Sequence, residues 1–217
     1  MSALYYCRQT TTACKGIPYP SKTHPYRYGT SGCVYTSGCG VCASLMALRN
    51  STTRVFNTRQ WTHRCLGMGA RAAEGTDMAV VARYMKEKYG MDYAITTDMD
   101  RLVAHLKQGY KAIINVSGGG KMLFSNSGHY VLAAGIDKNG NLVILDPYWY
   151  DGKFTLTAAR RKYTRVKNGR EVYVRPADLK GDVLSLWLFT PKRDVRLAYS
   201  TQDIHSVSYT HLTLPTT

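Results

Sequence analysis

The sequence predicts an α+β fold, in which helices from the first half of the chain pack on an antiparallel sheet from the second half. Three observations support this prediction. Apolar residues recur with helical spacing as far as residue 108, and from residue 111 the pattern changes to short runs of β-branched and aromatic residues. The segment Lys138–Asn141 reads KNGN, which is typical of a hairpin turn. Helices followed by hairpin-linked strands indicate an α+β arrangement.

Four helices are predicted from apolar spacing and from capping residues. They run from Gly40 to about Arg49, from Asn57–Thr58 to His63, from Thr76–Asp77 to a stop at Gly90, and from Met99 to Gln108. In the first of them, Val41, Leu45 and Leu48 share one face. Residues 1–37 are rich in Pro, Gly, Thr, Ser and Tyr and are predicted to be irregular.

Five strands are predicted after the helices, each bounded by turn-forming residues. They are KAIINVSG, HYVLAAGI, LVILDPY, REVYVR and LSLWLF, which begin at Lys111, His129, Leu142, Arg170 and Leu184. No repeat or linker divides the chain, so residues 1–195 are interpreted as one domain. Residues 196–217 have no consistent period and are interpreted as a disordered or artefactual tail.

The formal net charge of +15 is unevenly distributed. Residues 1–71 contain nine Lys or Arg and no carboxylate, since the first acidic residue is Glu74. A second basic cluster spans Arg160–Arg175, where Glu171 is the sole acid. Such a charge favours contact with a polyanion, for example an anionic cell-wall polymer, although a solvated basic face explains it equally well. Nucleic acid is not favoured as a partner, because no zinc-finger spacing or RNA-binding strand motif accompanies the charge.

The sequence contains no predicted transmembrane segment and no signal peptide. Its longest apolar runs, such as AIINV at Ala112–Val116, are too short to span a bilayer. The N-terminal residues lack a charged start and an apolar core region. We therefore expect synthesis in the cytoplasm, with later release as the route to any cell-wall target.

Three interpretations are open for Ser37–Leu48, SGCGVCASLMAL, which places two cysteines near a helix start. The first is a zinc site formed by Cys39, Cys42, His63 and Cys65, although the spacing of the second pair departs from common structural sites. The second is a redox disulfide between Cys39 and Cys42, although a loop rather than a strand precedes it. Structural disulfides among the six cysteines are also compatible with their even number.

The third interpretation is a nucleophilic cysteine. Cys39 lies where a loop turns into a helix, and the helix dipole and free N–H groups there stabilise a thiolate. The flanking Gly38 and Gly40 allow a substrate to approach the backbone closely. Cys42, one turn further on, is interpreted as a small buried apolar residue.

A nucleophilic cysteine needs a general base and a group that orients the base. His129 opens one predicted strand and Asp146 ends the next. A four-residue loop at Asp137–Gly140 would pair Val131 with Asp146, which makes His129 and Asp146 diagonal neighbours on one sheet face. A two-residue turn would place them too far apart, so the pairing predicts the wider loop.

At these residues the sequence resembles a known peptidase family. GCGVCASLMAL, GTDMAVVARYMKEKYGM, KQGYKAIINV and SGHYVLAAGIDKNGNLVILDP are similar, in this order, to the C39-like double-glycine, or bacteriocin-processing, cysteine peptidases of the papain-like superfamily. The resemblance covers roughly Tyr26 to Lys192. It implies a papain-like fold with Cys39 as nucleophile, His129 as base and acid, and Asp146 as the residue that orients His129.

One departure from the papain-like pattern concerns the oxyanion donor. These peptidases commonly carry a glutamine shortly before the nucleophile, but Cys33 stands six residues before Cys39. Gln9 is the only upstream glutamine and lies thirty residues away. Gln9 would have to reach back to the site, or another donor would replace it.

The leading hypothesis is a cysteine peptidase or amidase that needs no metal or organic cofactor. Its expected substrate is a peptide or peptidoglycan, as in a phage or bacterial cell-wall lysin. Two alternatives remain: a non-catalytic polyanion-binding module with the same fold, and the zinc-binding protein described above.

Overall fold

The computed structural model describes residues 4–192, whose centre is one seven-stranded antiparallel sheet. The strand order is β1-β7-β2-β3-β4-β6-β5. The strands are β1 (Met91–Thr96), β2 (Lys111–Val116), β3 (His129–Ile136), β4 (Leu142–Leu145), β5 (Thr164–Lys167), β6 (Glu171–Val174) and β7 (Val183–Pro191). The helices are α1 (Thr12–Lys15), α2 (Val34–Ser37), α3 (Cys39–Arg49), α4 (Thr58–Gly67), α5 (Met78–Tyr89), α6 (Met99–Lys107), α7 (Ala158–Tyr163) and α8 (Pro176–Leu179). Short 3₁₀ turns span Lys153–Thr155 and Lys180–Asp182.

The predicted α+β class is confirmed, but the strict order of helices before strands is wrong. β1 lies between α5 and α6, and β5 precedes β6, and neither strand was predicted. Both are edge strands of the sheet. Edge strands are held by pairing with one neighbour and bury few side chains, so their sequences MDYAIT and TRVK lack a clear apolar alternation.

The central helix α3 lies against one face of the sheet. All residues from Gly40 to Leu48 are buried, because α3 packs against β3 and β2 on one side and α4 on the other. Ser44, which is polar, donates to the carbonyl of Gly40 at 2.7 Å and accepts from Trp61 Nε1 at 2.9 Å. The second face of the sheet carries a separate apolar core to which α6 contributes Leu102 and Leu106.

The helix starts predicted at Asn57 and Asp77 and the stop predicted at Gly90 agree with the capping seen in the structure, whereas the end predicted at His63 is wrong. The Asn57 side chain accepts from the N–H of Gln60 in a capping box, and α4 continues past the predicted His63 to Gly67. Asp77 caps α5, which stops at Gly90 in a left-handed conformation (φ 64°). These local signals explain why helix boundaries could be predicted from sequence.

The turn of the β3–β4 hairpin differs from the prediction, but the pairing of the two strands at the end that carries His129 and Asp146 is the predicted one. Ile136 pairs with Leu142 rather than Asn141, so the predicted four-residue loop at Asp137–Gly140 is wrong. A bulge between Ala133 and Gly135 then shifts the register by one residue, so that Leu132 pairs with Leu145. Continuing that register places Asp146 opposite Val131.

The N-terminal segment is largely irregular, as predicted, but it is also packed into the molecule. Cys14, Ile17 and Tyr19 are buried in the core beside α3. The N–H of Gln9 donates to the carbonyl of Pro147 at 2.9 Å, which ties the segment to the end of β4. The tail predicted at residues 196–217 lies outside the described residues.

Candidate active site

Three elements bring the predicted site residues together. Cys39 is the first residue of α3, His129 is the first residue of β3, and Asp146 directly follows β4. His129 Nε2 donates to Asp146 Oδ1 at 2.7 Å. The Cys39 sulfur interacts with the same imidazole. Since Nε2 faces Asp146, Nδ1 is the ring nitrogen that remains for Cys39. The side chains of Cys39, His129 and Asp146 thus form one connected row.

The surroundings of Cys39 favour its thiolate. The residue is partly exposed, whereas its neighbour Gly40 is buried. Burial of the sulfur opposes ionisation, but the hydrogen bond and charge of His129, with the N–H groups of Tyr130 and Gly40, lower the pKa of Cys39 below its usual value. A thiolate at a helix N-terminus beside an imidazolium is the reactive form of cysteine.

His129 is adapted to carry the matching positive charge. Burial disfavours the imidazolium, but the Asp146 carboxylate and the Cys39 sulfur outweigh it and raise the pKa of His129 to about 9. The ring also stands edge-on to Tyr148, with ring centroids 6.3 Å apart. Each of the two groups thus favours the charged form of the other: the imidazolium stabilises the thiolate of Cys39, and the thiolate stabilises the imidazolium of His129.

Asp146 is fully buried and has a polar partner on each carboxylate oxygen. Oδ1 accepts from His129 and from the N–H of Tyr148 at 2.9 Å, and Oδ2 accepts from Lys153 Nζ at 2.5 Å. Burial opposes the ionised carboxylate, but the charges of Lys153 and His129 and their hydrogen bonds lower the pKa of Asp146. The Tyr6 hydroxyl donates to the Asp146 carbonyl at 2.7 Å, which fixes the backbone as well.

Lys153 is a site residue that sequence reasoning missed. It lies in the 3₁₀ turn after β4 and is only 2% exposed. A lysine is almost never fully buried unless it is paired, and nothing in its flanking sequence, YDGKF, indicates a partner. Covariation of Lys153 with Asp146 among related sequences would have indicated the pair, but a single sequence contains no covariation.

Gln9, thirty residues upstream of Cys39 in the sequence, contacts α2, the turn of helix that precedes Cys39. It is 2% exposed, and its Nε2 donates to the carbonyls of Tyr35 at 3.1 Å and Val34 at 3.5 Å. The Val34 carbonyl also accepts from the N–H of Gly38 at 2.8 Å, immediately before Cys39. Gln9 Oε1 is buried without a hydrogen-bond partner.

The structure does not assemble the four residues of the zinc interpretation. Cys42 and Cys65 are fully buried, whereas His63 is exposed on α4. Between residues 4 and 192, no group of three or more His, Cys, Asp or Glu side chains is placed to hold a metal ion. All six cysteines are free thiols. A hydrogen bond that the Cys42 thiol donates to Cys7, together with burial, raises the pKa of Cys42, which fits its interpretation as a packing residue.

The second basic cluster lies on α7 and the β5–β6 hairpin. Arg161, Lys162, Arg165 and Lys167 are exposed there, whereas Arg160 is buried. A groove on this face is lined by Asn141, Lys162, Tyr163, Arg165, Tyr173, Val174, Arg175 and Asp178. Arg175 is paired with Asp178 at 2.6 Å, so the positive charge of the groove comes from Lys162 and Arg165.

None of the helices formed by residues 4–192 combines the length and the apolar character that a membrane crossing requires.

Comparisons with known proteins show a family for this chain. The sequence profile of the Peptidase_C39 like family matches residues 14–172. Among solved structures, the chain is similar to the peptidase domain of Streptococcus ComA, described as a bi-functional ABC transporter involved in a quorum sensing pathway. The two share 14% identity with a TM-score of 0.46, over 71% of this chain and 91% of that one. No curated protein matches the sequence.

Proposed function

Since the chain belongs to the Peptidase_C39 like family and is a cysteine peptidase, we propose that Cys39, His129 and Asp146 are its catalytic triad. The observation that carries the proposal is the position of His129. Its imidazole contacts the Cys39 thiol on one side and is held by Asp146 at 2.7 Å on the other. Nucleophile, base and orienting group are thus in the geometric order that covalent catalysis needs.

The proposed reaction begins with the thiolate–imidazolium pair. Cys39 Sγ attacks the carbonyl carbon of the scissile amide, and the carbonyl oxygen becomes an oxyanion. As the C–N bond breaks, His129 gives its Nδ1 proton to the leaving amine, which leaves a thioester on Cys39. His129 then takes a proton from water, whose hydroxide attacks the thioester and releases the carboxylate product. Asp146 keeps the proton on Nε2, so that Nδ1 is the nitrogen that exchanges protons.

Gln9 is the proposed side-chain donor for the oxyanion, together with the N–H of Cys39. Its backbone is tied to Pro147, next to Asp146, and its amide contacts the turn of helix that leads into Cys39. In this structure the amide N–H groups of Gln9 are directed at the carbonyls of Val34 and Tyr35, at 3.5 and 3.1 Å, so the role requires one of them to turn towards the oxyanion when substrate binds.

The proposed substrate is a peptide, and peptidoglycan cross-links are its proposed biological form. The support is the charge of the protein: exposed Lys162, Arg165 and Lys167 form a basic face that suits an anionic cell wall. In this proposal the basic face binds the protein to the polymer, and the triad cleaves it. A phage or bacterial lysin combines these two properties.

The test is mass spectrometry of products after incubation with purified peptidoglycan and with peptides that contain Gly-Gly. We expect new amine and carboxylate ends with wild type and none with Cys39→Ser. A matched control is Cys65→Ser, which changes a buried cysteine of α4 and leaves Cys39 in place. Cleavage that continues unchanged in Cys39→Ser contradicts the triad, and binding to peptidoglycan without any cleavage by wild type supports the non-catalytic alternative.

A further inference from the structure

A buried lysine extends the row of charges beyond the three proposed catalytic residues. Lys153 Nζ lies 2.5 Å from Asp146 Oδ2, the oxygen that does not face His129. The same ammonium donates to the carbonyl of Tyr148 at 2.8 Å and lies over the Tyr148 and Phe154 rings at 5.3 and 5.6 Å. The carboxylate of Asp146 is therefore clamped between two cations.

The charges of this buried row balance when the site is in its reactive state. A thiolate on Cys39 and a carboxylate on Asp146 carry two negative charges, and an imidazolium on His129 and an ammonium on Lys153 carry two positive charges. Without the ammonium, the row would hold one uncompensated negative charge. Uncompensated charge in a buried site is removed by protonation.

Resting on the triad assignment above, we propose that Lys153 is a positioning residue that sets the ionisation of Cys39 through Asp146. Its ammonium holds the carboxylate in its orientation and neutralises the charge that would otherwise draw a proton into the site. If the site without Lys153 gained a proton on Cys39, the thiolate would be lost directly. If the proton went to Asp146, the imidazolium would lose its stabilising partner, and the thiolate would lose the imidazolium. Both routes raise the pH at which Cys39 ionises.

The side chains of the other titratable groups near Cys39, His129, Asp146 and Lys153 form no hydrogen bond to the Asp146 carboxylate in the described part of the chain. Buried Arg160 donates to the carbonyls of Lys153 at 3.2 Å and Met122 at 3.3 Å, so its charge is directed to main-chain oxygens. Tyr6 donates to the Asp146 carbonyl rather than to its carboxylate. The remaining groups that interact electrostatically with Cys39 or Asp146 are Tyr19, Cys42, Arg71 and Tyr130. None of these side chains forms a hydrogen bond to the Asp146 carboxylate in the described part of the chain.

The experiment measures the ionisation of Cys39 without any substrate. Wild type, Lys153→Met and Lys153→Arg are alkylated with iodoacetamide across a range of pH, and peptide mass spectrometry follows the rate at Cys39 alone. The matched control is Lys121→Met, which removes a lysine paired with Asp178 at 3.8 Å, away from Asp146. Circular dichroism and thermal melting establish that each variant is folded.

We expect Lys153→Met to raise the apparent pKa of Cys39 by about one unit or more, which corresponds to about tenfold slower alkylation on the acid side of the titration. Lys121→Met should alkylate like wild type, and Lys153→Arg, which keeps the charge, should lie within about threefold of wild type. A folded Lys153→Met with an unchanged pKa of Cys39 overturns the inference and leaves the triad intact. If Lys153→Met does not fold, a folded Lys153→Arg with a raised pKa of Cys39 overturns it instead. If wild-type Cys39 itself shows no lowered pKa, the triad proposal fails and not merely the role of Lys153.

Discussion

His129 Nε2 and Asp146 Oδ1 lie 2.7 Å apart although the two residues are seventeen positions apart in the chain. The two positions are brought together by a hairpin with a bulge in β3, which sets the pairing of Leu132 with Leu145 at the site end. This contact fixes which nitrogen of His129 faces Cys39. The contact therefore links Cys39 and His129 on one side to Asp146 and Lys153 on the other.

Cys39 should be the most reactive of the six thiols. Its pKa is lowered by His129, whereas burial raises the pKa of Cys65 and seals its thiol from solvent. We expect brief treatment with iodoacetamide at neutral pH to label Cys39 at least about tenfold faster than Cys65, as measured by peptide mass spectrometry. Equal labelling of the two would show that Cys39 is not an activated nucleophile.

The pH profile of kcat/KM should have an acid limb set by Cys39 and an alkaline limb set by His129. Activity rises as the pH passes the lowered pKa of Cys39 and the thiolate forms. It falls above pH of about 9, where the imidazolium loses its proton. Asp146→Asn removes the charge that stabilises the imidazolium, so its alkaline limb should move to lower pH. An alkaline limb that stays in place in folded Asp146→Asn would contradict the role given to Asp146.

Gln9→Ala should lower kcat by about 10²–10³ while KM changes little, because an oxyanion donor acts in the transition state. The measurement is steady-state kinetics on a peptide that wild type cleaves, with thermal melting to confirm folding. Gln60→Ala is the matched control, since Gln60 belongs to the exposed capping box of α4. A kcat for Gln9→Ala within about threefold of wild type would assign Gln9 to packing alone.

Asp182 should stabilise the loop that leads into His129. Its buried carboxylate accepts the N–H groups of Lys121, Met122 and Leu123 at 2.6, 3.1 and 2.9 Å. Asp182→Ala leaves these donors without their acceptor, and we expect a loss of about 3 kcal/mol in the free energy of unfolding. Asp98→Ala, which removes an exposed cap of α6, should cost only about 1 kcal/mol in the same urea titration. Similar losses for the two variants would contradict the anchoring role.

The sequence was sufficient for the fold class and for the main helices and central strands. Helix caps such as Asp77 and Gly90 are local signals, and the central strands bury enough apolar side chains to be recognised. The edge strands β1 and β5 were missed because their pairing is decided by a neighbour rather than by their own pattern. The bulge between Ala133 and Gly135 was also missed, because it is a property of how β3 pairs with β4 and not of the sequence of β3 alone.

Among the candidate site residues, those with a distinctive local setting could be proposed from the sequence, and those that depend on long-range contacts could not. Cys39 stands at a helix start and His129 at a strand start, and both positions are readable from the sequence. Lys153 looks like any solvated lysine, and its burial against Asp146 is a property of the folded chain. Gln9 was noted as a distant candidate, but its approach to α2 depends on the packing of the N-terminal segment.

The measurement that tests the central claim most directly is intact-protein and peptide mass spectrometry of the acid-quenched reaction during turnover. We expect the acyl part of a cleaved peptide on Cys39, its removal by hydroxylamine as for a thioester, and no such adduct on Cys39→Ser. Turnover by wild type without an adduct on Cys39, together with undiminished cleavage by Cys39→Ser, would contradict the role of Cys39 as nucleophile.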